Sequence, residues 1–440
     1  MKTYQEALQE VIASVHVLDV EERPLLACVG QAVAEDIVAR RSLPPLDLAG
    51  PDGYAVRSVD IAGASAEHPV ALRVVGTTRA GFISKHVLSE GTAVRIMTGS
   101  PMPAGADCVV RFEDTDEPGD KNGPNPRPCP KVKVFVAGGP GANVRPAGGV
   151  VKEGTLVLPR GTGIGPAQVA VLGTLGIARV RVARRPTVAI ISTGDELVGL
   201  GRPVAPGKSY DANSGALAAL VAHYGAVPKR LGIARDTEAS LATKIKKAMS
   251  ADAVITSGGV SKGDYDLVRL VAGKLGKVVF SRINMGPGAS FALGLLDRPA
   301  GAGDERTVPL FALSGPTMGC LNNFELLVRP ALLKMMGFAD LAHPVVEAVA
   351  ADAVLGKSPM DIVKWTHLDT TGGAGISARP GTTGRLDSGG GQAVVTMNAT
   401  AERGSLATMA LADSLVIVPA GREVAPGDKM DVMPLNWRHA

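Results

Sequence analysis

The amino-acid sequence predicts a multidomain protein in which a central α/β domain is combined with β-rich regions. Between residues 187 and 336, apolar runs typical of buried strands alternate with helical patterns, which predicts a mostly parallel sheet. From residue 44 to residue 137, and again after residue 339, short β-like runs are separated by Gly and Pro turns. The chain has 440 residues, enough for roughly three or four domains of ~100–200 residues.

The first 40 residues show a helical pattern. Their apolar positions share one helix face: Ala7, Leu8, Val11, Ile12 and Val15. A second helical stretch is predicted around residues 24–39. The strands predicted next are residues 70–75, 93–97, 108–111 and 131–136, and residues 117–130 are predicted to be an exposed proline-rich loop. A helix is predicted at residues 166–175.

The α/β region follows. Its predicted strands are residues 187–191, 227–233, 253–256, 278–283 and 308–313. Its predicted helices are residues 214–224, 237–250, 265–275 and 319–336. At the C-terminus, residues 415–419 and 428–433 predict strands of a small β-barrel or sandwich, preceded by a flexible connection at residues 372–391.

Composition excludes several classes of function. Aromatic residues make up 3% of the chain and the net charge is +4, which disfavours a nucleic-acid-binding protein. No run approaches the ~18 apolar residues of a membrane span, and the N-terminus lacks the apolar core of a signal peptide. The four cysteines, Cys28, Cys108, Cys129 and Cys320, are too scattered for a zinc site or a disulfide framework. A cytoplasmic protein is expected.

The most informative segment is the loop at residues 257–266, Ser-Gly-Gly-Val-Ser-Lys-Gly-Asp-Tyr-Asp. It lies between a predicted strand and a predicted helix, so its backbone N–H groups and the helix dipole favour an anion. Asp264 and Asp266 add carboxylates, which a phosphate alone does not favour. A metal ion bridging phosphate and carboxylate reconciles the two charges. The alternative is a tight turn in which Asp264 caps the helix.

Other carboxylates follow neighbouring strands of the predicted sheet. Asp195 and Glu196 follow the first strand, and Asp236 follows the second. Ligands of open α/β sheets bind beyond the carboxyl ends of the strands, so we expect these side chains to share one edge with Asp264 and Asp266. Such a set suits one or two Mg²⁺ ions that hold a phosphoester for cleavage by water. Helix capping is the alternative for each carboxylate.

A second group of polar residues lies in the β-rich region. Asp52 precedes Gly53, and Thr98 precedes Gly99, each in a turn beside an apolar run. By spacing alone these are ordinary structural turns.

Taken together, these segments resemble the MoeA family, the molybdopterin molybdenumtransferases that also include the gephyrin E domain. The family's segments are matched in order by residues 51–55 (PDGYA), 95–110 (RIMTGSPMPAGADCVV), 185–197 (RPTVAIISTGDEL), 211–214 (DANS), 257–266 and 412–419 (ADSLVIVP). The resemblance covers nearly the whole chain.

The resemblance implies a substrate, a reaction and a set of site residues. The substrate is adenylylated molybdopterin, which is cleaved with Mg²⁺ to release AMP while molybdate is inserted. The implied catalytic residues are Asp52, Thr98, Glu196, Asp236 and Asp264, with Glu196, Asp236 and Asp264 as metal ligands. The implied cofactor contacts are Thr193, Gly194, Asp195, Ser214, Ser257, Gly258, Gly259, Ser261, Asp266, Arg282, Gly288, Ser314 and Gly315.

It also implies an assembly and a domain plan. The family forms homodimers in which the β-rich domain of one subunit faces the α/β domain of the other, which revises the structural interpretation of Asp52 and Thr98. The upstream adenylyltransferase is a further expected partner. The implied domains are an elongated linker and dimerisation domain (1–45 and 141–183), a β-rich inserted domain (46–140), a MogA-like α/β domain (184–338) and a C-terminal β-barrel (339–440).

Two segments depart from the family pattern. Where the family has three lysines that hold oxyanions, this chain has Arg282, Gly286 and Ala289. Residues 313–319 (LSGPTMG) also lack an asparagine and a serine of the family motif. Fewer fixed cations predict weaker molybdate binding, unless Lys364 or Arg403 compensates.

Three functions therefore stay open. The first is an insertase for molybdate or tungstate. The second is a pterin-binding paralogue that carries the cofactor without inserting metal, and the third is a different phosphoanhydride hydrolase on the same α/β domain.

Overall fold

In the computed structural model the chain begins with a short capped helix. The structure describes residues 1–117, 130–259, 267–298, 306–354, 358–370, 393–396 and 405–435. Helix α1 (Tyr4–Ala13) starts at Thr3, which forms a capping box with Glu6, and it buries Ala7 and Val11 as predicted. Strand β1 (Val20–Pro24) follows.

The predicted second helix at residues 24–39 is wrong. Only residues 25–28 form a single 3₁₀ turn. β1 instead pairs antiparallel with a strand at residues 179–183, so its backbone hydrogen bonds go to a segment far along the chain. Gly30, with a φ of +77°, interrupts any helical path beyond the turn. Long-range pairing here overrides the local helical pattern.

The described residues divide into two compact units, Asp36–Leu158 and the remainder of the chain. The strands of the first unit are β2 (Ile37–Val38), β3 (Leu48–Ala49), β4 (Gly53–Val56), β5 (Val70–Thr78), β6 (Thr92–Ile96), β7 (Cys108–Arg111), β8 (Lys131–Val134), β9 (Val144–Arg145) and β10 (Leu156–Leu158). Five of them form a sheet in the order β7-β4-β6-β5-β8, and β2 pairs with β10 and β3 with β9. The four predicted strands are present. β4 was missed because its Asp-Gly start resembles a turn.

The second unit contains the α/β region. Its elements are α2 (Pro166–Thr174), β11 (Arg179–Ala183), β12 (Thr187–Thr193), β13 (Leu197–Val198), β14 (Ser209–Tyr210), α3 (Asn213–His223), β15 (Val227–Ala234), α4 (Glu238–Ala248), β16 (Ala253–Ser257), α5 (Leu267–Leu275), β17 (Gly276–Ser281), β18 (Met285–Gly286), β19 (Ala292–Leu296), β20 (Val308–Leu313), α6 (Thr317–Asn323) and α7 (Arg329–Met335).

Its main sheet has the order β15-β12-β16-β20-β19-β17. The pairs β15–β12, β12–β16 and β16–β20 are parallel, whereas β19 is antiparallel to both of its neighbours. Along β12, Val188 and Ile190 face one apolar core and Ala189 and Ile191 face the other, because successive side chains alternate. Both faces of the sheet are thus covered by apolar cores. Together with the three parallel pairs, this confirms the predicted α/β domain with a mostly parallel sheet. β19 was not predicted.

The C-terminal part is a closed β-barrel. It consists of β21 (Val346–Ala350), β22 (Asp361–Asp369), β23 (Val394–Thr396), α8 (Ser405–Leu411), β24 (Ser414–Val418) and β25 (Lys429–Pro434). The ring runs β22-β23-β21-β25-β24 and closes by pairing of β22 with β24, which confirms the predicted barrel. The predicted flexible connection at residues 372–391 and most of the loop at residues 117–130 lie outside the described residues. Within the described residues, no helix has the length and apolarity needed to cross a membrane.

Candidate active site

A cavity of about 610 Å³ lies at the carboxyl ends of the parallel strands β12, β16 and β20. Ligand sites are expected at this edge of an open α/β sheet. Its lining includes eight of the residues predicted as site residues: Thr193, Gly194, Glu196, Asp236, Ser257, Gly258, Gly259 and Gly315. Three strand ends therefore converge on one concave surface, as their sequence positions predicted.

The turn after β12 brings two carboxylates to this cavity. Gly194 has a φ of +151°, and a Cβ built on it meets the Glu196 carboxylate at 2.3 Å. Glycine at this position therefore lets Glu196 fold back over the turn. The Asp195 N–H donates to Oδ2 of Asp236 (3.1 Å), which ties the turn to the loop after β15. Glu196 and Asp236 both line the cavity.

The loop after β16 approaches the same turn closely. Gly258 and Gly259 have φ values of +90° and +72°. A Cβ on Gly258 meets the Thr193 carbonyl oxygen at 2.7 Å, and one on Gly259 meets Thr193 Oγ1 at 2.7 Å. Only glycine fits at these two positions. Thr193 is 5% exposed, and its buried hydroxyl has no hydrogen-bond partner among the described residues.

Asp211 organises the wall of the cavity between β14 and α3. It is 4% exposed and accepts hydrogen bonds from the hydroxyls of Ser192 (2.7 Å) and Ser214 (2.7 Å) and from the Ser214 N–H (3.2 Å). Arg230 in turn donates to the Ser214 hydroxyl (2.9 Å). Ser214 therefore orients a buried carboxylate and does not line the cavity.

The remaining predicted residues either do not line the cavity or lie outside the described residues. The Asp195 side chain is exposed and lies 3.8 Å from Arg235. Arg282, Gly288 and Ser314 do not line the cavity, although Ser314 donates to the carbonyl of Ser290, which does. Asp52 and Thr98 belong to the other compact unit. Ser261, Asp264 and Asp266, together with Arg403, lie outside the described residues.

The segment at residues 282–290 is held by two fully buried asparagines of α6. Asn322 donates to the Pro287 carbonyl and Asn323 to the Gly288 carbonyl, both at 2.8 Å. The indole N–H of Trp365, from the barrel strand β22, donates to Asn322 Oδ1 (2.8 Å). Arg282 has a φ of +73°, which is uncommon for a side-chain-bearing residue.

Lys364 does not line the cavity. It lies on β22 between Val363 and Trp365, which pack against the α/β core. Because side chains alternate along a strand, Lys364 shares the opposite face with Ile362 and Leu368, which pack against the barrel core.

Sequence reasoning missed several residues of the cavity. They are Leu197, Ser209, Tyr210, Asp211, Ala212, Asn213, Ser290, Pro316 and Thr317. For Asn213 a signal was present, since it stands inside the segment 211–214 at the start of a predicted helix. Capping accounted for that position equally well, so the segment alone did not identify it.

The donors at the cavity fit a Mg²⁺ ion. Among the residues that the structure describes, no group of three or more Asp, Glu, His or Cys side chains is placed to hold a metal. Glu196 and Asp236 nevertheless line one cavity beside a glycine-rich turn. Mg²⁺ is commonly held by one or two protein carboxylates, with waters and substrate phosphates completing the octahedron.

Three family models match the chain in the order of its segments. The MoeA N-terminal region (domain I and II) matches residues 2–176, and a probable molybdopterin binding domain matches residues 189–334. The MoeA C-terminal region (domain IV) matches residues 383–435. The chain belongs to the MoeA family. The resemblance inferred from the motifs is thereby confirmed.

Relatives in the MoeA family share a common description. The molybdopterin molybdenumtransferase of Nostoc sp. is 37% identical over 74% of this chain and 72% of its own length. Molybdopterin molybdenumtransferase 2 of Mycobacterium tuberculosis is 35% identical over 81% of this chain and 85% of its own length. The crystal structure of the molybdopterin biosynthesis MoeA protein of Pyrococcus horikoshii OT3 has a TM-score of 0.77 to this chain at 26% identity, covering 99% and 100% of the two chains. The described residues thus share the MoeA fold.

Proposed function

We propose that this MoeA chain is a molybdopterin molybdenumtransferase that cleaves adenylylated molybdopterin, inserts molybdate and releases AMP in a Mg²⁺-dependent reaction. One observation supports it above the others: the cavity combines the carboxylates of Glu196 and Asp236 with the Gly258–Gly259 turn and the unpartnered hydroxyl of Thr193. Carboxylates suit a cation, and the Gly259 N–H and the hydroxyls suit a phosphate. A phosphoanhydride bound through a divalent cation satisfies both.

Each group has a distinct task in this proposal. Gly258 and Gly259 let the turn pack against Thr193 at the edge of the cavity. The hydroxyls of Thr193 and Ser257 donate to oxygens of a phosphate bound there. Glu196 and Asp236 would hold Mg²⁺, which when bound polarises the phosphoanhydride and neutralises its charge. Water adds to one phosphorus and the bridging P–O bond breaks. The water's oxygen and protons complete the two new phosphate ends, and the products are AMP and molybdopterin with its single phosphate.

The segment at residues 282–290 favours a second candidate. Its only cationic side chain is Arg282, and positions 286 and 289 carry no charge. A protein that binds the pterin tightly and does not insert metal is consistent with such a segment. A tungstate-specific insertase is a further alternative.

Release of AMP decides between these functions. Purified protein is incubated with adenylylated molybdopterin, Mg²⁺ and increasing molybdate or tungstate, and AMP is measured with time. We expect oxyanion-stimulated release that stops on chelation of Mg²⁺. Tight substrate binding by calorimetry without oxyanion-stimulated release supports the pterin carrier. Turnover of simple nucleotides that is indifferent to molybdate supports a different hydrolase.

The proposal includes a homodimer in the cytoplasm, in which Asp52 and Thr98 of one copy serve the cavity of the other. Mixing the variants Asp52→Asn and Glu196→Gln tests it, at a Mg²⁺ concentration at which neither variant alone releases AMP. In a symmetric dimer, random reassortment restores about a quarter of the wild-type rate, because half of the dimers contain one intact site. No recovery after subunit exchange contradicts the shared site. The substrate itself requires an adenylyltransferase upstream.

A further inference from the structure

Asn213 joins two walls of the cavity through its side-chain amide. Its Nδ2 atom donates to the Ser257 hydroxyl at the end of β16 (2.7 Å) and to the Gly315 carbonyl after β20 (2.7 Å). All three residues line the cavity. A carbonyl oxygen only accepts hydrogen bonds, so the NH₂ group must face Gly315 and the orientation of the amide is fixed.

The Ser257 hydroxyl can therefore donate its hydrogen to a ligand in the cavity. Its oxygen accepts from Asn213 and, at 3.8 Å, from the thiol of Cys320. Burial raises the pKa of the Cys320 thiol to about 12, so it stays protonated and keeps its S–H at neutral pH. A serine hydroxyl has one hydrogen and two lone pairs. With both lone pairs engaged, its hydrogen meets no acceptor among the described residues.

We propose that Asn213 is a positioning residue that fixes the Ser257 hydroxyl as a hydrogen-bond donor to a phosphate oxygen of the bound substrate. This inference rests on the proposed function, since it takes adenylylated molybdopterin as the ligand. Asn213 acts through Ser257 and does not touch the reacting atoms. Ser257 lies directly before Gly258 and Gly259, so the donated hydrogen adds to the phosphate contacts of that turn.

An unpartnered atom supports a role beyond structure. With its NH₂ group engaged twice, the Oδ1 atom of Asn213 is buried and has no partner among the described residues. A buried acceptor without a donor costs about 1–3 kcal/mol. A buried unpartnered atom in a native protein calls for an explanation. Here the two bonds of the NH₂ group fix the amide in an orientation that leaves Oδ1 without a donor.

A double-mutant cycle on substrate affinity tests the proposal. The dissociation constant of adenylylated molybdopterin is measured by calorimetry for the wild type, Asn213→Ala, Ser257→Ala and the double variant. Each single change is expected to raise the dissociation constant about tenfold. If Asn213 acts through Ser257, its removal in the Ser257→Ala background adds less than about twofold. Fully additive effects overturn the proposal, as does an Asn213→Ala variant that binds like the wild type.

Two further variants separate positioning from loss of folding. Cys320→Val removes the weaker S–H donor while keeping an apolar side chain, and about a twofold rise in the dissociation constant is expected. Asn143→Ala is the matched control, since Asn143 also donates its amide to a backbone carbonyl (2.8 Å) but belongs to the other unit. It is expected to bind substrate like the wild type.

Thermal unfolding of each variant is recorded alongside. If the loss of affinity simply follows the melting temperature across all four positions, Asn213 is structural and the proposal fails. If the wild type itself does not bind adenylylated molybdopterin, the proposed function fails instead, so the two failures are distinguishable.

Discussion

Thr98 donates both its backbone N–H (2.7 Å) and its hydroxyl (2.8 Å) to the same carboxylate oxygen of Asp52. The two residues come from different turns of the β-rich unit, 46 positions apart. Two donors on Oδ1 fix the orientation of the carboxylate, and Oδ2 receives no donor from the described residues. A preoriented, exposed carboxylate is consistent with the catalytic role proposed for Asp52.

Replacing Thr98 with Val should reduce AMP release without unfolding the protein. The change removes one of the two donors to Asp52 and keeps the shape of the side chain. Hydrogen bonds to charged groups contribute about 1.5–3 kcal/mol, so the rate should fall roughly tenfold or more. Thr77→Val, at an exposed position in the same unit, is the control and should retain the wild-type rate. Equal rates for both variants argue against a role for the pair.

Neutralising Glu196 or Asp236 should raise the Mg²⁺ concentration that AMP release requires. In Glu196→Gln or Asp236→Asn, one anionic ligand is lost, and the Mg²⁺ concentration for half-maximal AMP release should increase at least about tenfold. Titrating Mg²⁺ at saturating substrate measures this. Asp195→Asn is the matched control, because the Asp195 side chain is exposed beside Arg235. A reduced maximal rate with an unchanged Mg²⁺ requirement contradicts metal binding by these carboxylates.

Restoring a lysine should strengthen oxyanion binding if residues 282–290 form the oxyanion site. A Cβ at Gly286 contacts only the flexible end of Met360, at 3.4 Å, so Gly286→Lys is sterically tolerated. We expect the KM for molybdate to fall about tenfold in Gly286→Lys or Ala289→Lys, since a tenfold change needs only ~1.4 kcal/mol. The gain should shrink at high salt because solvent-exposed charges are screened. Gly286→Gln adds length without charge and should leave the KM unchanged.

Asp107 should make the stability of the β-rich unit depend on acidic pH. Burial opposes its ionisation, but the hydroxyl and N–H of Ser58 donate to it (2.7 and 2.6 Å) and lower its pKa below the ordinary value of 3.8. A lowered pKa in the folded state stabilises the fold above that value, and the stabilisation is lost as pH falls through the folded pKa.

Urea unfolding at several pH values checks this expectation. Asp107→Asn should lower the free energy of unfolding at pH 7 by less than about 1 kcal/mol, because the carboxylate is only slightly buried and water screens its interactions. The difference from the wild type should disappear with acidification below pH 3.8. Glu67→Gln removes an equal charge at an exposed position and should show no such trend. A difference that persists at low pH points to packing as the cause.

Much of the α/β domain was predictable because each of its strands and helices has a recognisable hydrophobic pattern within its own stretch of sequence. Buried strands such as β12 and β16 are short apolar runs between turns, and the helices between them show amphipathic patterns. β1 lacks such a pattern. Its residues, Val-Glu-Glu-Arg-Pro, are mostly exposed, and they form a strand because they pair with β11. The helix predicted over residues 319–336 also proved more complex, since a π-helical turn at residues 324–328 separates α6 from α7.

The sequence by itself determined that Glu196, Asp236 and the Ser257–Gly258–Gly259 turn would meet. Each follows a strand of a parallel sheet, and the carboxyl ends of such strands share one edge. The tertiary structure alone decided that Ser214 donates to Asp211, that Lys364 lies on the same face of β22 as Ile362 and Leu368, and that Asn213 bridges Ser257 and Gly315. Local periodicity fixes where a strand ends, whereas the partner of a side-chain hydrogen bond depends on distant segments that only the folded chain brings within 3 Å.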